Sequence, residues 1–387
     1  MAPNKGTQGT VRTVCAGRTI TGMDTAVIDA AGLQQLVAAL QDSGYRVVGP
    51  TVSGSAIVLA ELDSADDLPA GWGVDVSPGQ YRLRRRDDDA AFGHSAGPQS
   101  WKQFLHPARQ RLWSSDGEEP DEPPRYAFLG VRGCDLAAIA KLNGVLGAGA
   151  YPDTNFTGRL GRVFVVAVNC TEPGGLCFCA SMGTGPEVGP GYDLALTERT
   201  GPDGRSYVVD VGSDRGADVL RRLTWRQPRN DEINSARGDV ADAAHRMGRQ
   251  MPTGDLRTLL ADSRESPQWD EVASRCLTCG NCTMVCPTCF CTSVEDVTDL
   301  TGTHAERWMT WASCFEIDFT FVHEGSVRQS APSRYRHWLT HKLGTWHDQF
   351  STSGCVGCGR CIAWCPTGID ITEEMAALAE RPDAVDD

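Results

Sequence analysis

The sequence has no long apolar run and no segment typical of export. Its longest apolar stretches are short pieces such as residues 163–168, whereas a membrane-spanning helix needs about 20 apolar residues. Residues 1–6 lack the apolar core of a signal peptide. We therefore expect a cytoplasmic protein with no membrane partner.

Positive charge and nucleotide-binding motifs are also scarce. The chain has 36 Lys and Arg against 50 Asp and Glu, a net charge of −14, which argues against a nucleic-acid partner because phosphate binding needs basic patches. Gly183-Thr184-Gly185 is not followed by the third Gly of a dinucleotide fingerprint, and no P-loop lysine motif occurs. No Ser-His-Asp or Cys-His arrangement stands out, so we expect no catalytic residues in this chain.

Cysteine, by contrast, is abundant. The 16 cysteines indicate metal ligation rather than disulfides, because cytosolic thiols are kept reduced. Two runs, residues 276–287 and 355–366, both read C-x2-C-x2-C-x3-C-P, which is the spacing of bacterial [4Fe–4S] ferredoxins. The pattern predicts two [4Fe–4S] clusters and therefore an electron-carrying protein.

The ferredoxin pattern also predicts which thiols share a cluster. In two-cluster ferredoxins, the fourth Cys of each run ligates the cluster of the other run. We therefore predict an upstream set of ligands for one cluster, consisting of Cys276, Cys279, Cys282 and Cys365. The downstream set, for the other cluster, consists of Cys355, Cys358, Cys361 and Cys286. Zinc and disulfides are the alternatives, but a doubled four-Cys run ending in Pro is not their pattern.

Two domains are expected from the length and the patterns. Residues 1–252 predict a mixed α/β domain, and residues 253–387 predict a ferredoxin-like dicluster domain with a helical insertion between its two runs. Residues 30–40 have helical apolar spacing after Asp29, a suitable N-cap. Strands are expected at residues 45–52 and 56–62.

Two further stretches have weaker patterns. Residues 100–113 favour helix on either side of Pro107, and the polar residues 226–239 favour a linker.

A third group of cysteines lies near a predicted βαβ unit. Buried strands are expected at residues 126–131 and 162–168, with a helix at 135–142 between them. Parallel strands end at one edge of a sheet, where open sheets bind ligands. The thiols expected near that edge, here called the sheet-edge set, are Cys134, Cys170, Cys177 and Cys179. They predict a third [4Fe–4S] cluster; the alternative is four buried or loop thiols.

The other cysteines and two histidines favour structural roles. Cys15 is expected to be an unremarkable thiol, and we expect Cys289, Cys291 and Cys314 to pack near the first cluster. His337 and His341 have a zinc-binding spacing, but residue 338 is Trp where the zinc protease signature needs Glu. A cationic or hydrogen-bonding face beside the clusters is favoured for this predicted helix.

Several motifs taken together resemble a known family. They look like those of the beta subunits of cytoplasmic NAD(P)-linked [NiFe]-hydrogenases, also called sulfhydrogenases. The electron-transfer subunit of anaerobic sulfite reductase is similar and shares the dicluster architecture. The resemblance covers most of the chain from Tyr126 onwards. It is carried by VRGCDLAAI (131–139), VNC (168–170), CFCASMGTGPE (177–187), CPTCFC (286–291), RWMTWASCF (307–315) and the stretch from 334 to 372.

The resemblance implies a role within a complex. In such hydrogenases the beta subunit carries electrons in a heterotetramer, between a flavoprotein subunit with FAD and NAD(P) and the large and small hydrogenase subunits. The resemblance extends firmly to the eight ligands of the ferredoxin runs. Two alternatives stay open: the corresponding subunit of a sulfite reductase, and a free-standing ferredoxin-like carrier. A domain of about 250 residues ahead of the clusters disfavours the free-standing carrier.

Overall fold

The first half of the chain contains a seven-stranded sheet, in a computed structural model that describes residues 25–117, 122–201 and 204–380. Cys15 lies outside these residues. The strands of this half are β1 (Thr25–Asp29), β2 (Arg46–Ser53), β3 (Ala56–Glu61), β4 (Trp72–Ser77), β5 (Gln80–Arg85), β6 (Arg109–Ser114), β7 (Tyr126–Arg132), β8 (Phe164–Val168), β9 (Leu194–Gly201) and β10 (Gly204–Val211). Its helices are α1 (Ala30–Asp42), α2 (Lys102–Leu105), α3 (Gly133–Leu142), α4 (Thr154–Leu160), α5 (Asp214–Leu220) and α6 (Asn230–His245).

The sheet order confirms the mixed α/β class. The strands lie in the order β1-β10-β9-β8-β7-β2-β3, and the central strands β9, β8, β7 and β2 are parallel neighbours. The predicted βαβ unit is β7, α3 and β8, so the C-terminal ends of β7 and β8 lie at one edge. That edge positions the sheet-edge set.

Successive apolar side chains of a strand point to opposite faces of this sheet, which explains why helices cover both faces. On β7, Leu129 belongs to the core beneath α1 and Phe128 to the core beneath α3. Helix α1 begins where expected, because the Asp29 carboxylate accepts a hydrogen bond of 2.8 Å from the Gly32 amide. Gly44, with a φ of +81°, follows its C-terminus.

The second half contains the two ferredoxin runs and the segment between them. Its helices are α7 (Leu256–Asp262), α8 (Gln268–Arg275), α9 (Asn281–Met284), α10 (Ala331–Thr340), α11 (Trp346–Phe350), α12 (Arg360–Ala363) and α13 (Ile371–Glu380). Its strands are β11 (Thr292–Thr298), β12 (Ala305–Trp311), β13 (Phe321–Val322) and β14 (Gly325–Ser326). The helical insertion is present as α10, a π turn at His341–Thr345 and α11, but a β-hairpin of β11 and β12 precedes it.

Two weaker sequence predictions are wrong. After Pro107 the chain forms strand β6 instead of a helix, because β6 pairs with β12 and this tertiary pairing outweighs local propensity. Most of the predicted linker is helix α6, whose small apolar residues Ala236, Val240 and Ala243 are buried although the helix is mostly polar. Such a narrow apolar stripe is hard to recognise from composition.

The two halves share a core. Leu176 and Phe178, from the loop that follows β8, pack in the same apolar cluster as Trp269, Leu339 and Ile362 of the dicluster half. Together with the β6–β12 pairing, this contact fixes the sheet-edge loop against the ferredoxin runs. Within the described ranges, no helix is both long and apolar enough to cross a membrane.

Candidate metal centres

The upstream set converges on one cavity. Cys276 follows the C-terminus of α8, Cys279 and Cys282 lie in the tight turn around α9, and Cys365 comes from the other run. All four line one cavity, whose walls are almost wholly apolar. Its walls also include Phe315, Tyr335 and Trp338. The thiol ligands and the apolar surroundings fit a [4Fe–4S] cluster.

Both ferredoxin runs fold in the same way locally. Gly280 and Gly359 each have a φ of +73° and each immediately precede a four-residue helix that carries the third Cys of its run. This left-handed conformation is readily available only to glycine. The repeated Cys-Gly-x-Cys pattern thereby turns two thiols of each run towards the same space.

The downstream set contains Cys286 of the first run, as the crossed pattern requires. Burial, followed by the nearby thiols of Cys355, Cys358 and Cys286, raises the pKa of Cys361 well above its ordinary value. Burial also raises the pKa of Cys355 to about 11. These mutual effects mean that the four thiols are close neighbours in a buried region. The sulfur-rich surroundings again fit a [4Fe–4S] cluster.

A buried lysine contacts the downstream set. Lys342 Nζ lies 3.3 Å from Cys286 Sγ and 3.2 Å from Thr288 Oγ1. Burial alone lowers the pKa of an ammonium, but the electrostatic influence of the nearby Cys286 and Cys289 outweighs it and raises the pKa of Lys342 well above its usual range. A hydrogen bond from the Cys289 thiol, with Lys342 nearby, lowers the pKa of Cys286 well below its ordinary value.

The sheet-edge set also lines a single cavity. Cys134 lies in the first turn of α3, Cys170 follows β8, and Cys177 and Cys179 lie in the loop beyond. The structure therefore brings together the four thiols named from sequence. Arg132, at the end of β7, is buried beside them, and its Nη1 donates to Cys170 Sγ at 3.3 Å.

Burial favours the neutral thiol form of three members of the sheet-edge set, Cys134, Cys177 and Cys179, when no metal is bound. It raises the pKa of Cys177 to about 12, with the neighbouring Cys170 as the next cause. It also raises the pKa values of Cys134 and Cys179. A metal centre needs thiolates, so binding at this edge would release protons.

The three sets are contiguous. Cys358 of the downstream set lines the sheet-edge cavity, and Cys361 of the same set lines the upstream cavity. The Phe178 amide donates to the Gly357 carbonyl at 2.9 Å. Arg360 Nη2 forms a buried salt bridge of 2.9 Å with Asp135 of α3. The downstream run is thus held directly against the sheet-edge loop.

The remaining thiols lie beside the upstream and downstream sets. Cys289 contacts Cys286 of the downstream set, and Cys314 is near Cys282 of the upstream set. Cys291 lies near Cys314. Cys314 thus lies near the first cluster as the sequence predicts, whereas Cys289 lies beside the downstream set instead.

Histidines do not supply a cationic face. The rings of His337 and His341 stack with centroids 6.1 Å apart, and burial lowers both pKa values, that of His337 to about 4. Within the part of the chain that the structure describes, no group of three or more His, Cys, Asp or Glu side chains has an arrangement that could hold a single metal ion.

Sequence reasoning misses the residues that surround the thiols. It places Lys342 only on a basic helix, and it does not identify Arg132 and Arg360 at all. Arg132 directly precedes Gly133-Cys134, and Arg360 lies inside the second run, so a basic residue next to a predicted ligand is the signal that could find them.

Comparison with known proteins supports the sequence patterns. Residues 275–369 match the 4Fe-4S dicluster domain family, which indicates two [4Fe–4S] clusters. The chain is 30% identical over 339 residues to sulfhydrogenase 2 subunit beta of Pyrococcus furiosus, a match that covers 87% of this chain and 92% of that protein. No solved structure is significantly similar.

Proposed function

Because this chain belongs to the family of sulfhydrogenase beta subunits, which are iron–sulfur electron-transfer subunits, we propose that it connects two partners of a [NiFe]-hydrogenase. One partner is an iron–sulfur flavoprotein subunit that binds FAD and NAD(P). The other is the module formed by the large and small hydrogenase subunits. In this role the chain transfers electrons and contributes no catalytic residue, and its complex works in the cytoplasm.

The contiguity of the three thiol sets is the observation that carries this proposal. When bound, [4Fe–4S] clusters accept and donate single electrons. Cys279 of the upstream set is exposed. The downstream set lies between the other two, because Cys358 lines the sheet-edge cavity and Cys361 lines the upstream cavity. An arrangement in which one set lies between two others suits a subunit that transfers electrons between two redox partners.

A third [4Fe–4S] cluster at the sheet edge is part of the proposal. The four thiols share one cavity, and the Arg132 guanidinium beside Cys170 provides positive charge for a negatively charged thiolate centre. A cluster there would give the α/β domain a role in electron transfer. Without it, that domain would only support the two ferredoxin runs.

Purification from the native host under anaerobic conditions tests the proposed partners. A tagged full-length chain should co-purify with a flavoprotein and with nickel–iron subunits, and the preparation should reduce NAD(P) with H2. Full-length chain with Cys279→Ser is the control: it should retain the partners but transfer fewer electrons. Co-purification of a sirohaem protein would assign the chain to a sulfite reductase instead. A fully loaded monomer without partners would contradict both assignments.

A further inference from the structure

Lys342 is a buried ammonium whose contacts are sulfur and hydroxyl groups. It lies in the π turn after α10, with 4% of its surface exposed. Its Nζ is 3.3 Å from Cys286 Sγ and 3.2 Å from Thr288 Oγ1. Within residues 25–117, 122–201 and 204–380, no carboxylate forms a salt bridge with it; the partners of its Nζ are a thiol sulfur and a hydroxyl oxygen.

Such a site is costly unless a negative group compensates it. A buried ammonium loses its hydration, and the loss is offset only by a partner of opposite charge. The downstream thiols supply that charge once they are ionised and bound to a cluster. Lys342 therefore has a role at this cluster that a buried apolar side chain could not fill.

We propose that Lys342 is a positioning residue that raises the reduction potential of the downstream cluster above the value its thiol ligands alone would give. Reduction adds a negative charge, and a nearby positive charge stabilises the reduced form more than the oxidised one. Hydrogen bonds to the cluster sulfurs act in the same direction, and they are among the features by which a protein sets cluster potentials. The inference rests on the proposed assignment of Cys286 to the downstream cluster.

The cations and donors near the other thiols are arranged differently. Arg360 lies beside Cys358, but its charge is paired with Asp135 at 2.9 Å. In the upstream set, backbone amides donate to sulfur, as Thr278 N does to Cys276 Sγ at 3.4 Å. Among the described residues, an unpaired ammonium in contact with sulfur therefore distinguishes the downstream set from the upstream one.

Lys102 is a second buried ammonium close to this region, with different contacts. Its Nζ donates to the Cys289 carbonyl oxygen at 3.0 Å and lies 3.7 Å from the centre of the Trp311 ring. Neither contact is with a sulfur atom, whereas Lys342 Nζ lies 3.3 Å from Cys286 Sγ. Lys342 is thus the better placed of the two to act on a cluster.

The test is a potentiometric titration of the full-length, cluster-loaded protein, followed by EPR. Lys342→Met should shift the reduction equilibrium of the downstream cluster at least tenfold towards the oxidised form, which corresponds to about 59 mV for a one-electron couple. The upstream cluster should keep its potential. Lys141→Met is the matched control, because Lys141 is a half-buried lysine near Cys355 whose Nζ donates to Thr352 Oγ1, at 2.7 Å, and not to sulfur; it should shift the downstream potential much less than Lys342→Met does.

A second variant covers the case in which Lys342→Met fails to load the downstream cluster. Thr288→Val keeps the ammonium but removes the hydroxyl that contacts both Lys342 Nζ and Cys286 Sγ. It should shift the same potential in the same direction by a smaller factor. Unchanged downstream potentials in the loaded variants would overturn the role of Lys342. A shift confined to the cluster that Cys279→Ser perturbs would instead overturn the assignment of Cys286, while the effect of Lys342 would stand.

Discussion

At the scale of single residues, basic side chains accompany the buried thiols. Arg132 donates to Cys170 in the sheet-edge set, and Lys342 donates to Cys286 in the downstream set. Neutral buried thiols do not need such partners, whereas thiolates bound to a cluster do. These contacts motivate the first two predictions.

Crossed ligation predicts which variants share a phenotype. Cys286→Ser should perturb the same cluster as Cys358→Ser, because both thiols belong to the downstream set. Cys365→Ser should perturb the same cluster as Cys279→Ser. EPR or Mössbauer spectra of the four full-length variants provide the measurement. Matching spectra for Cys286→Ser and Cys279→Ser would mean that each run is self-contained.

The proposed cluster at the sheet edge leads to a prediction of the iron content. Anaerobically loaded full-length protein should contain roughly twelve iron and twelve sulfide ions, which is the content of three cubanes. Replacing both Cys177 and Cys179 by Ser should lower each count to about eight. The control is Cys314→Ser, since Cys314 is a buried thiol outside the three sets and its loss should leave the counts unchanged. Equal iron in the double variant and the wild type would rule out the third cluster.

At the scale of elements, a close fit between two loops joins the sheet edge to the downstream run. Gly357 has a φ of +64°, and a Cβ at this position would lie 2.6 Å from the backbone of Cys179. The Thr184 hydroxyl donates to the Val356 carbonyl at 2.7 Å across the same contact. No side chain can be added there without moving one loop away from the other.

Gly357→Ala should therefore weaken both clusters that meet at this contact. The added methyl group would clash with Cys179, and the positive φ alone costs about 1 kcal/mol for a residue with a Cβ. Gly183→Ala is the matched control, because Gly183 has the same φ of +64° but no atom within 4 Å of the added Cβ. Iron content and thermal unfolding should be clearly worse in Gly357→Ala than in Gly183→Ala. Equal effects would show that the loop contact is unimportant.

At the scale of the whole molecule, the two halves form one structural unit. Phe178, from the α/β half, is 1% exposed in the core that also contains Trp269 and Leu339. Strand β6 contributes to the sheet that the hairpin of β11 and β12 begins. The domain boundary at residue 253 stays a prediction from sequence. Contacts between residues before and after this boundary hold the two halves together.

Phe178→Ala should accordingly destabilise the entire molecule. Removal of a fully buried aromatic ring costs about 3–5 kcal/mol, whereas an exposed site changes stability by about 0.5 kcal/mol or less. Phe321→Ala is the control, because Phe321 is 57% exposed. Urea unfolding under anaerobic conditions, followed by circular dichroism and by cluster absorbance, should show coincident transitions at a lower urea concentration. Loss of only one signal would mean that the halves unfold independently.

The features that depend only on neighbouring residues could be predicted from the sequence. The spacing of Cys276, Cys279 and Cys282 fixes a tight ligand loop, and the glycine after Cys279 allows its left-handed turn. The continuous apolar pattern of residues 126–131 and 162–168 predicted β7 and β8 as buried strands, and neither strand has an exposed position in the structure. It also predicted that Cys134 and Cys170 would lie at one edge, because parallel strands end there together.

The features that join distant parts of the chain depend on long-range packing, and local sequence patterns do not predict them. Local propensity predicts neither the pairing of β6 with β12 nor the position of Phe178 in the dicluster core. The direction of Lys342 towards Cys286 depends on how α10 packs, since that helix also carries partly exposed basic groups such as Arg336. Local spacing determines which thiols can form one loop, but long-range packing determines which charges surround them. Lys342 is 56 residues from Cys286 along the chain, and only the fold brings the two side chains together.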